Sequence, residues 1–194
     1  MELQDTSSTG PEEPFKTPAG FEIRRETSGH FALKIWGRFQ PDWIAGFSSG
    51  LSQNRISIIS GTVKKVKTGW QGEFEVMATG SATDPNSIDY LALAQNRLDT
   101  APAVTISLDE FVLGDPQKHN GALYLEVKAQ DQLGFLGALL NRFAFYVLFP
   151  ETMIIETLKG RIFDRFWIKG VGGKPPSAAV INTLKQKLVG YLTK

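Results

Sequence analysis

The same order of hydrophobic patterns occurs twice along this chain, and this repetition limits the fold more than any single motif does. The first copy predicts a strand, a helix, two strands and a helix, at 31–36, 41–54, 56–65, 70–78 and 84–98. The second copy predicts the same elements in the same order, at 123–129, 133–148, 152–158, 161–169 and 177–192. Placing Trp36 on Val127, 91 residues further on, aligns the two copies. The sequence therefore predicts two β-α-β-β-α units.

A further strand-like run precedes each copy, at 21–26 and at 104–113. No strand-like run follows the last helix, so the second copy lacks a trailing fourth strand. We predict that each leading run forms a hairpin with the first strand of its own unit, because neither first strand is then a bare edge. The alternative gives 104–113 to the first unit as its fourth strand. The predicted organisation is a flexible tail at 1–19 and two domains at 20–100 and 101–194.

Composition excludes several classes of protein. Hydrophobic content is 42%, which is ordinary for a globular chain, and a net charge of +1 gives no general attraction to nucleic acids or membranes. The chain has no cysteine, which excludes disulfides, thiol nucleophiles and cysteine-bound metals. The N-terminus lacks the pattern of a signal peptide, and the most apolar stretch, 133–149, is too short to span a bilayer comfortably. We therefore expect a soluble cytoplasmic protein without a membrane partner.

A polar turn between the first strand and the helix of the second copy carries a family motif. The motif reads D-x-x-G-F-L and is followed by a hairpin pattern, with matching residues Asp131, Gly134, Phe135, Leu136, Thr157, Gly160, Asp164, Phe166 and Ile168. This segment resembles the ACT domain family, and is closest to the C-terminal ACT domains of glutamine-sensing uridylyltransferases. The resemblance covers about 121–192, with one extra residue before Gly160. The first copy resembles the family less, since Trp43 takes the place of the motif glycine.

The resemblance implies an α+β fold of two ferredoxin-like units and a regulatory function. Many such domains pair and bind an amino acid where they meet, with the strand-to-helix turn facing the ligand. The residues implied for ligand binding here are Asp131, Gln132, Leu133, Gly134 and Phe135. Free N–H groups at a helix N-terminus favour a carboxylate, and a residue without Cβ permits close approach.

Two residues of this turn also have purely structural interpretations. Gly134 is explained equally well by a turn or by packing of the helix on the sheet, without any ligand. For Asp131 we favour an N-cap of the following helix over ligand contact.

The helix predicted at 133–148 is apolar on nearly every side, with only Asn141 and Arg142 clearly polar. A sheet covers one side of a helix, so the remainder must contact the other repeat or another subunit. The matching helix of the first copy carries polar residues that we expect to face solvent, namely Ser48, Ser49, Ser52, Gln53 and Asn54. The second unit is therefore the expected core of a homodimer.

RNA-recognition motifs share this element order and carry stacking aromatics on an open sheet face. Tyr124, Phe163 and Trp167, with Arg165 and Lys169, would supply such a face. Against this, charge is nearly balanced and Arg161 occupies the place of the first stacking aromatic. Nucleic-acid binding is therefore the weaker prediction.

Catalysis is not expected. His30 and His119 lie in polar turns without a partner in sequence, and Glu73 and Glu75 are expected to be a solvated pair on one strand face. The glycine-rich segment 170–175 lacks the residues that a phosphate-binding loop requires. No metal or cofactor is predicted.

We therefore predict a non-catalytic regulatory protein that senses an amino acid and, with no catalytic domain evident in the chain, acts in trans on a partner protein. The alternatives are an interaction module without a ligand and an RNA-recognition-like binder.

Overall fold

The computed structural model describes residues 18–27, 29–95 and 104–193 of the chain. These residues form an α+β fold with one eight-stranded antiparallel sheet and four α-helices. The strands are β1 (Gly20–Thr27), β2 (His30–Gly37), β3 (Ile56–Val66), β4 (Gly69–Ala78), β5 (Glu110–Leu113), β6 (Leu123–Gln130), β7 (Phe149–Leu158) and β8 (Arg161–Lys169). The helices are α1 (Trp43–Gln53), α2 (Tyr90–Gln95), α3 (Phe135–Phe145) and α4 (Ala178–Tyr191).

The strand order is β1-β2-β4-β3-β7-β8-β6-β5. Read inward from either edge, the order is the same in both copies: the leading strand, then the first, third and second strands of that copy. Strands β3 and β7 join the two halves, with Ser60 to Lys64 of β3 opposite Thr152 to Glu156 of β7. An ion pair between Lys65 and Glu151 at 2.8 Å lies beside this junction. The two copies of the repeat thus share one continuous sheet.

Both leading strands pair as predicted. Strand β1 pairs with β2, and β5 pairs with β6, each in antiparallel register. The prediction that 104–113 belongs with the second copy is confirmed, although only Glu110–Leu113 of that run is a strand. The alternative, pairing with the first copy, is wrong.

The core lies between one face of the sheet and the helices, because strand side chains alternate between buried and exposed. In β8 the buried set is Ile162, Asp164, Phe166 and Ile168, and the half-exposed set is Phe163, Arg165, Trp167 and Lys169. Helices α1 and α3 contact each other above the β3–β7 junction. No helix of the described residues is long and apolar enough to cross a membrane.

The helix predicted from Asp84 is interrupted. A 3-10 turn, Pro85–Ser87, is followed by Ile88 in an extended conformation, and α2 begins only at Tyr90. The side chain of Asp89 accepts a hydrogen bond from the Ala92 N–H at 3.0 Å. Asp89 therefore caps the N-terminus of α2, where the helix begins again after the interruption. The predicted end near Leu98 lies outside the described residues.

The predicted repeat offset of 91 residues is one too short. Buried positions of β2 and β6 match at 92 residues, as Ile35 with Val127 and Leu33 with Leu125, and the helices begin 92 residues apart at Trp43 and Phe135. An error of one residue places every strand side chain on the wrong face. The counterpart of Gly134 is therefore Asp42, not Trp43.

The expectation that the serines of α1 face solvent is wrong for Ser48 and Ser49, which are both buried. They lie toward α3, where a Cβ added to Gly137 would come within 2.7 Å of the Ser49 Oγ. Small residues on both helices allow this close approach. The apolar surface of α3 thus contacts the other repeat, which was one of the two partners expected for it.

Candidate functional site

A cavity of about 40 Å³ lies between the two halves of the molecule, on the helix side of the sheet. All five residues predicted to bind a ligand, Asp131 to Phe135, line it. The first half contributes Ser48 and Ser52 from α1 and the start of β3, while β8 contributes Asp164. The cavity is therefore built jointly by both repeats.

Gly134 occupies the N-cap position of α3 with φ +89° and ψ −2°. This left-handed conformation favours glycine, so the structural interpretation of this residue has a concrete basis. Its counterpart, Asp42, has φ −98° and needs no glycine. Gly134 has a conformational role, and it also lines the cavity.

The expectation that Asp131 caps α3 is wrong. The N-cap is Gly134, and no side chain makes a capping hydrogen bond there. The backbone N–H of Asp131 donates to the Gly160 carbonyl at 2.9 Å, which fixes the turn against the β7–β8 hairpin. Burial raises the pKa of the Asp131 carboxyl, and a hydrogen bond from the Gln132 backbone partly opposes this. Asp131 is exposed to solvent and lines the cavity at its outer side.

Ser48 is the most informative residue that sequence reasoning placed wrongly. It is 4% exposed, lines the cavity, and its Oγ has no hydrogen-bond partner. Buried hydroxyls are nearly always hydrogen-bonded, because an unsatisfied one costs about 1 to 3 kcal/mol. The cavity therefore offers an unused hydrogen-bonding group to whatever occupies it.

Asp164 is a second buried polar residue in the cavity wall, and it is 1% exposed. Its Oδ1 accepts a hydrogen bond from the Glu156 backbone N–H at 3.3 Å. Burial raises the pKa of this carboxyl to about 8, the Glu156 N–H opposes the rise, and the charges of Asp131 and Glu156 add to it. Sequence reasoning cited Asp164 only for the family motif. The signal that identifies it is its place among the inward-facing residues of β8.

The charges around the cavity are one-sided. Two carboxyls, of Asp131 and Asp164, line it, and none of the residues that line it is cationic. Thr157 also lines it, and its Oγ1 donates to the Ile58 carbonyl at 3.4 Å across the junction. The first turn of α3 adds N–H groups that favour an anion. The arrangement thus provides acceptors for a cation and donors for an anion close together.

The volume limits the occupant. A cavity of about 40 Å³ holds on the order of three water molecules, at roughly 10 to 15 Å³ each. A ligand of a few non-hydrogen atoms matches this space without movement of the helices.

The corresponding place in the first half is filled. Trp43 is 3% exposed and its ring lies 4.9 Å from Phe39 and 5.6 Å from Phe47. At the counterpart of Asp164, 92 residues earlier, the chain has Gly72, where an added Cβ would lie 2.6 Å from the Phe74 ring. Aromatic side chains thus fill, beside the first turn, the space that the cavity occupies beside the 131–135 turn.

The other residues considered from the sequence as catalytic or phosphate-binding candidates make contacts that stabilise the fold. The Nδ1 of His30 lies 2.7 Å from a Glu75 carboxylate oxygen, and the His119 ring stacks on Tyr124 at 5.1 Å. The glycine-rich segment forms a short 3-10 turn, Val171–Gly173. Among the described residues no group of three or more His, Asp or Glu side chains is placed to hold a metal ion.

The sheet face opposite the helices carries the aromatic set considered for RNA. Tyr124 and Trp167 pack edge to face at 5.2 Å, and the Tyr124 hydroxyl donates to Glu126 at 2.9 Å. Arg165 makes an ion pair with Glu156. A groove on this face is lined by three carboxylates, those of Glu75, Glu126 and Glu156. This charge pattern opposes a phosphate backbone.

Comparison of the chain with protein-family models, with curated proteins and with solved structures gave no significant match.

Proposed function

We propose that this chain is a non-catalytic regulatory protein made of two ferredoxin-like, ACT-type units, and that it binds a small amino acid between them. The order β1-β2-β4-β3 supports the architecture, since the leading strand takes the place that a trailing fourth strand has in a β-α-β-β-α-β sheet. The second half repeats that order as β5-β6-β8-β7. The motif resemblance of the second copy supports the family.

The observation that carries the proposal is the buried, unpartnered Ser48 hydroxyl in a cavity formed by the predicted turn. The turn was selected from the sequence by its motif, and Ser48 comes from the other repeat. Their meeting at one cavity is what binding at an interface of two units requires.

The chemistry of the cavity fits the two ends of an amino acid. The first turn of α3 favours the carboxylate, and the carboxyls of Asp131 and Asp164 favour the ammonium group. The small volume favours the smallest amino acids, such as glycine, alanine and serine, whose five to seven non-hydrogen atoms would extend from the cavity past the exposed residues Asp131 to Leu133.

Occupancy would be relayed through the contact between the halves. A ligand bound to both Ser48 and the 131–134 turn stabilises the arrangement of α1 and α3 in which they contact each other. A regulated partner in the cytoplasm would then respond to that arrangement. The homodimer remains a prediction, but its original basis is weakened because α1 covers much of the apolar surface of α3.

A thermal-shift screen of the full chain against the twenty amino acids tests this function. We expect small amino acids to raise the melting temperature, since a ligand at 100 times its dissociation constant adds about 2.7 kcal/mol of stability. Ser48→Ala should reduce the shift at equal ligand concentration. Ser60→Ala is the matched control, because Ser60 lines grooves on the opposite sheet face.

The screen also separates the alternatives. No shift with any amino acid contradicts sensing and leaves the ligand-free interaction module. Salt-dependent retardation of single-stranded RNA in a gel, lost on Trp167→Ala, would instead favour the open sheet face as the functional surface.

A further inference from the structure

Asp164 is the only ionisable residue of β8 that faces the helices, and its position there is unusual for a strand under a hydrophobic core. Its neighbours on the same face, Ile162 and Phe166, are buried and apolar. An ionised carboxylate in such a place requires a compensating cation. The residues lining the cavity provide none.

The charged groups that act on Asp164 are all acidic. The turn before α3 contributes Asp131, and Glu156 of β7 acts through the sheet from the opposite face, where its carboxylate pairs with Arg165; both raise the pKa of Asp164. From α1, Ser48 and Ser52 line the cavity, and neither titrates. On β6 the register partner is Val127, and the residues of α3 that line the cavity, Phe135 to Gly137, are not ionisable. A proton or a bound cation must therefore neutralise Asp164.

A second observation points to a ligand and not merely to a protonated core residue. The Ser48 hydroxyl, nine-tenths or more buried and without a partner, lines the same cavity from the opposite repeat. At the counterpart around Trp43 aromatic rings fill the space, although the Trp43 Nε1 is also buried without a partner, so the open volume beside Ser48 is what indicates a ligand.

We propose that Asp164 accepts the ammonium group of the bound amino acid, and that binding therefore releases one proton from this carboxyl to solvent. This inference rests on the proposed function and specifies how its site is regulated. The ligand enters with its ammonium group protonated, the O–H bond of Asp164 breaks, and the proton leaves to buffer. The Asp164 carboxylate and the ligand ammonium form a neutral pair, and the site gains one negative charge, that of the ligand carboxylate at the N-terminus of α3. Sensing would thereby depend on pH as well as on amino-acid concentration.

The expected pH dependence follows from the free carboxyl, whose pKa is about 8. Below this value the ligand must displace a proton, so its affinity falls toward tenfold for each pH unit. Between pH 8 and pH 6 we expect a loss of about 50-fold. A protonated Asp164 that donated to the ligand carboxylate would give the opposite slope.

Isothermal titration calorimetry of the full chain with glycine, L-alanine and L-serine tests this. Titrations at pH 7 in phosphate and in Tris, which differ in ionisation enthalpy, should give close to one proton released per ligand. Propionate, which matches L-alanine without the ammonium group, should release none. Asp164→Asn should weaken binding and remove its pH dependence. Glu73→Gln, an equal change of charge on the opposite sheet face, should keep both.

The outcomes separate the two proposals. Binding without proton release, or with proton uptake, overturns the role of Asp164 and leaves amino-acid sensing intact. If none of the three amino acids gives a measurable heat of binding, both proposals are overturned. The proton count of the unmodified protein decides the question without any variant.

Discussion

The two repeats have the same strand order but enter their first helices in different ways, and the difference locates the candidate site. In the first repeat Asp42 occupies the N-cap position of α1 with φ −98°, and the Trp43 ring packs in a cluster with Phe39 and Trp70. In the second, Gly134 starts α3 at φ +89° and leaves a cavity beside it.

The inward positions of the sheet differ in the same sense. Gly72 lies under the aromatic rings of the first half, and Asp164 takes the equivalent place in the second. The first half closes its turn with large aromatic side chains, while the second half keeps a carboxyl beside a cavity that the unpartnered Ser48 hydroxyl reaches from α1. Because the fold is shared, the polar interior of the second half is a property of its residues and not of its topology.

The strongest test of this comparison moves the carboxyl to the closed repeat. Gly72→Asp would place a Cβ 2.6 Å from Phe74 and 3.3 Å from Ile35, and would bury a carboxyl without a cavity. We expect a loss of about 4 kcal/mol or more in the free energy of unfolding, measured by urea denaturation. Gly72→Ala isolates the steric part. A loss below about 1 kcal/mol for Gly72→Asp would show that the first half tolerates a buried carboxyl as the second half does.

The converse substitution, Asp164→Asn, removes the carboxyl from the second repeat. The pKa of Asp164 is about 8 in the folded state and near 4 in the unfolded chain. Between these values the folded state holds the extra proton, so this group's contribution to stability falls as pH rises from 4 to 8 and is constant above. Asp164→Asn should therefore be more stable than the unmodified protein by up to about 5 kcal/mol at pH 8.

This advantage of Asp164→Asn should shrink toward pH 4, as urea denaturation over that range would reveal. A difference between the two proteins that does not change with pH would mean that the carboxyl titrates normally.

A smaller effect is expected at the contact that holds the halves together. Gly137→Ala adds a methyl group 2.7 Å from the Ser49 Oγ and 3.1 Å from its backbone nitrogen. We expect a loss of about 1 to 3 kcal/mol, although alanine favours helices. Gly190→Ala in α4 is the control, since a Cβ there meets nothing within 4 Å, and it should gain up to about 1 kcal/mol. Equal gains at both positions would contradict a close contact between α1 and α3.

The sequence predicted the elements and the pairing of the leading strands because these depend on local alternation and on avoiding bare edges. The β7–β8 hairpin and helix α4 lie where the pattern predicted them, within one residue at each end of the helix. The single error of register arose because the alignment used Trp36, whose side chain is on the opposite face from that of Val127. The buried positions Leu33 and Ile35 of β2 match Leu125 and Val127 of β6, which gives an offset of 92 residues.

The candidate site could be predicted only in part. The 131–135 turn followed from its motif, which is local in sequence. Ser48 was assigned to solvent, since serines on a helix are usually exposed and nothing local shows that α3 covers them. The role of Asp164 depends on a cavity between repeats, which is a property of tertiary packing and is not contained in the alternation of β8 alone.

The most direct test of the central claim is the ¹⁵N–¹H correlation spectrum of the full chain titrated with glycine, L-alanine and L-serine at pH 8. The account predicts saturable shifts concentrated in 131–137 and at Ser48 and Ser52, with little change around Trp43. Shifts centred on Phe163 and Trp167 of the open sheet face, or no shifts with any of the three, would contradict it.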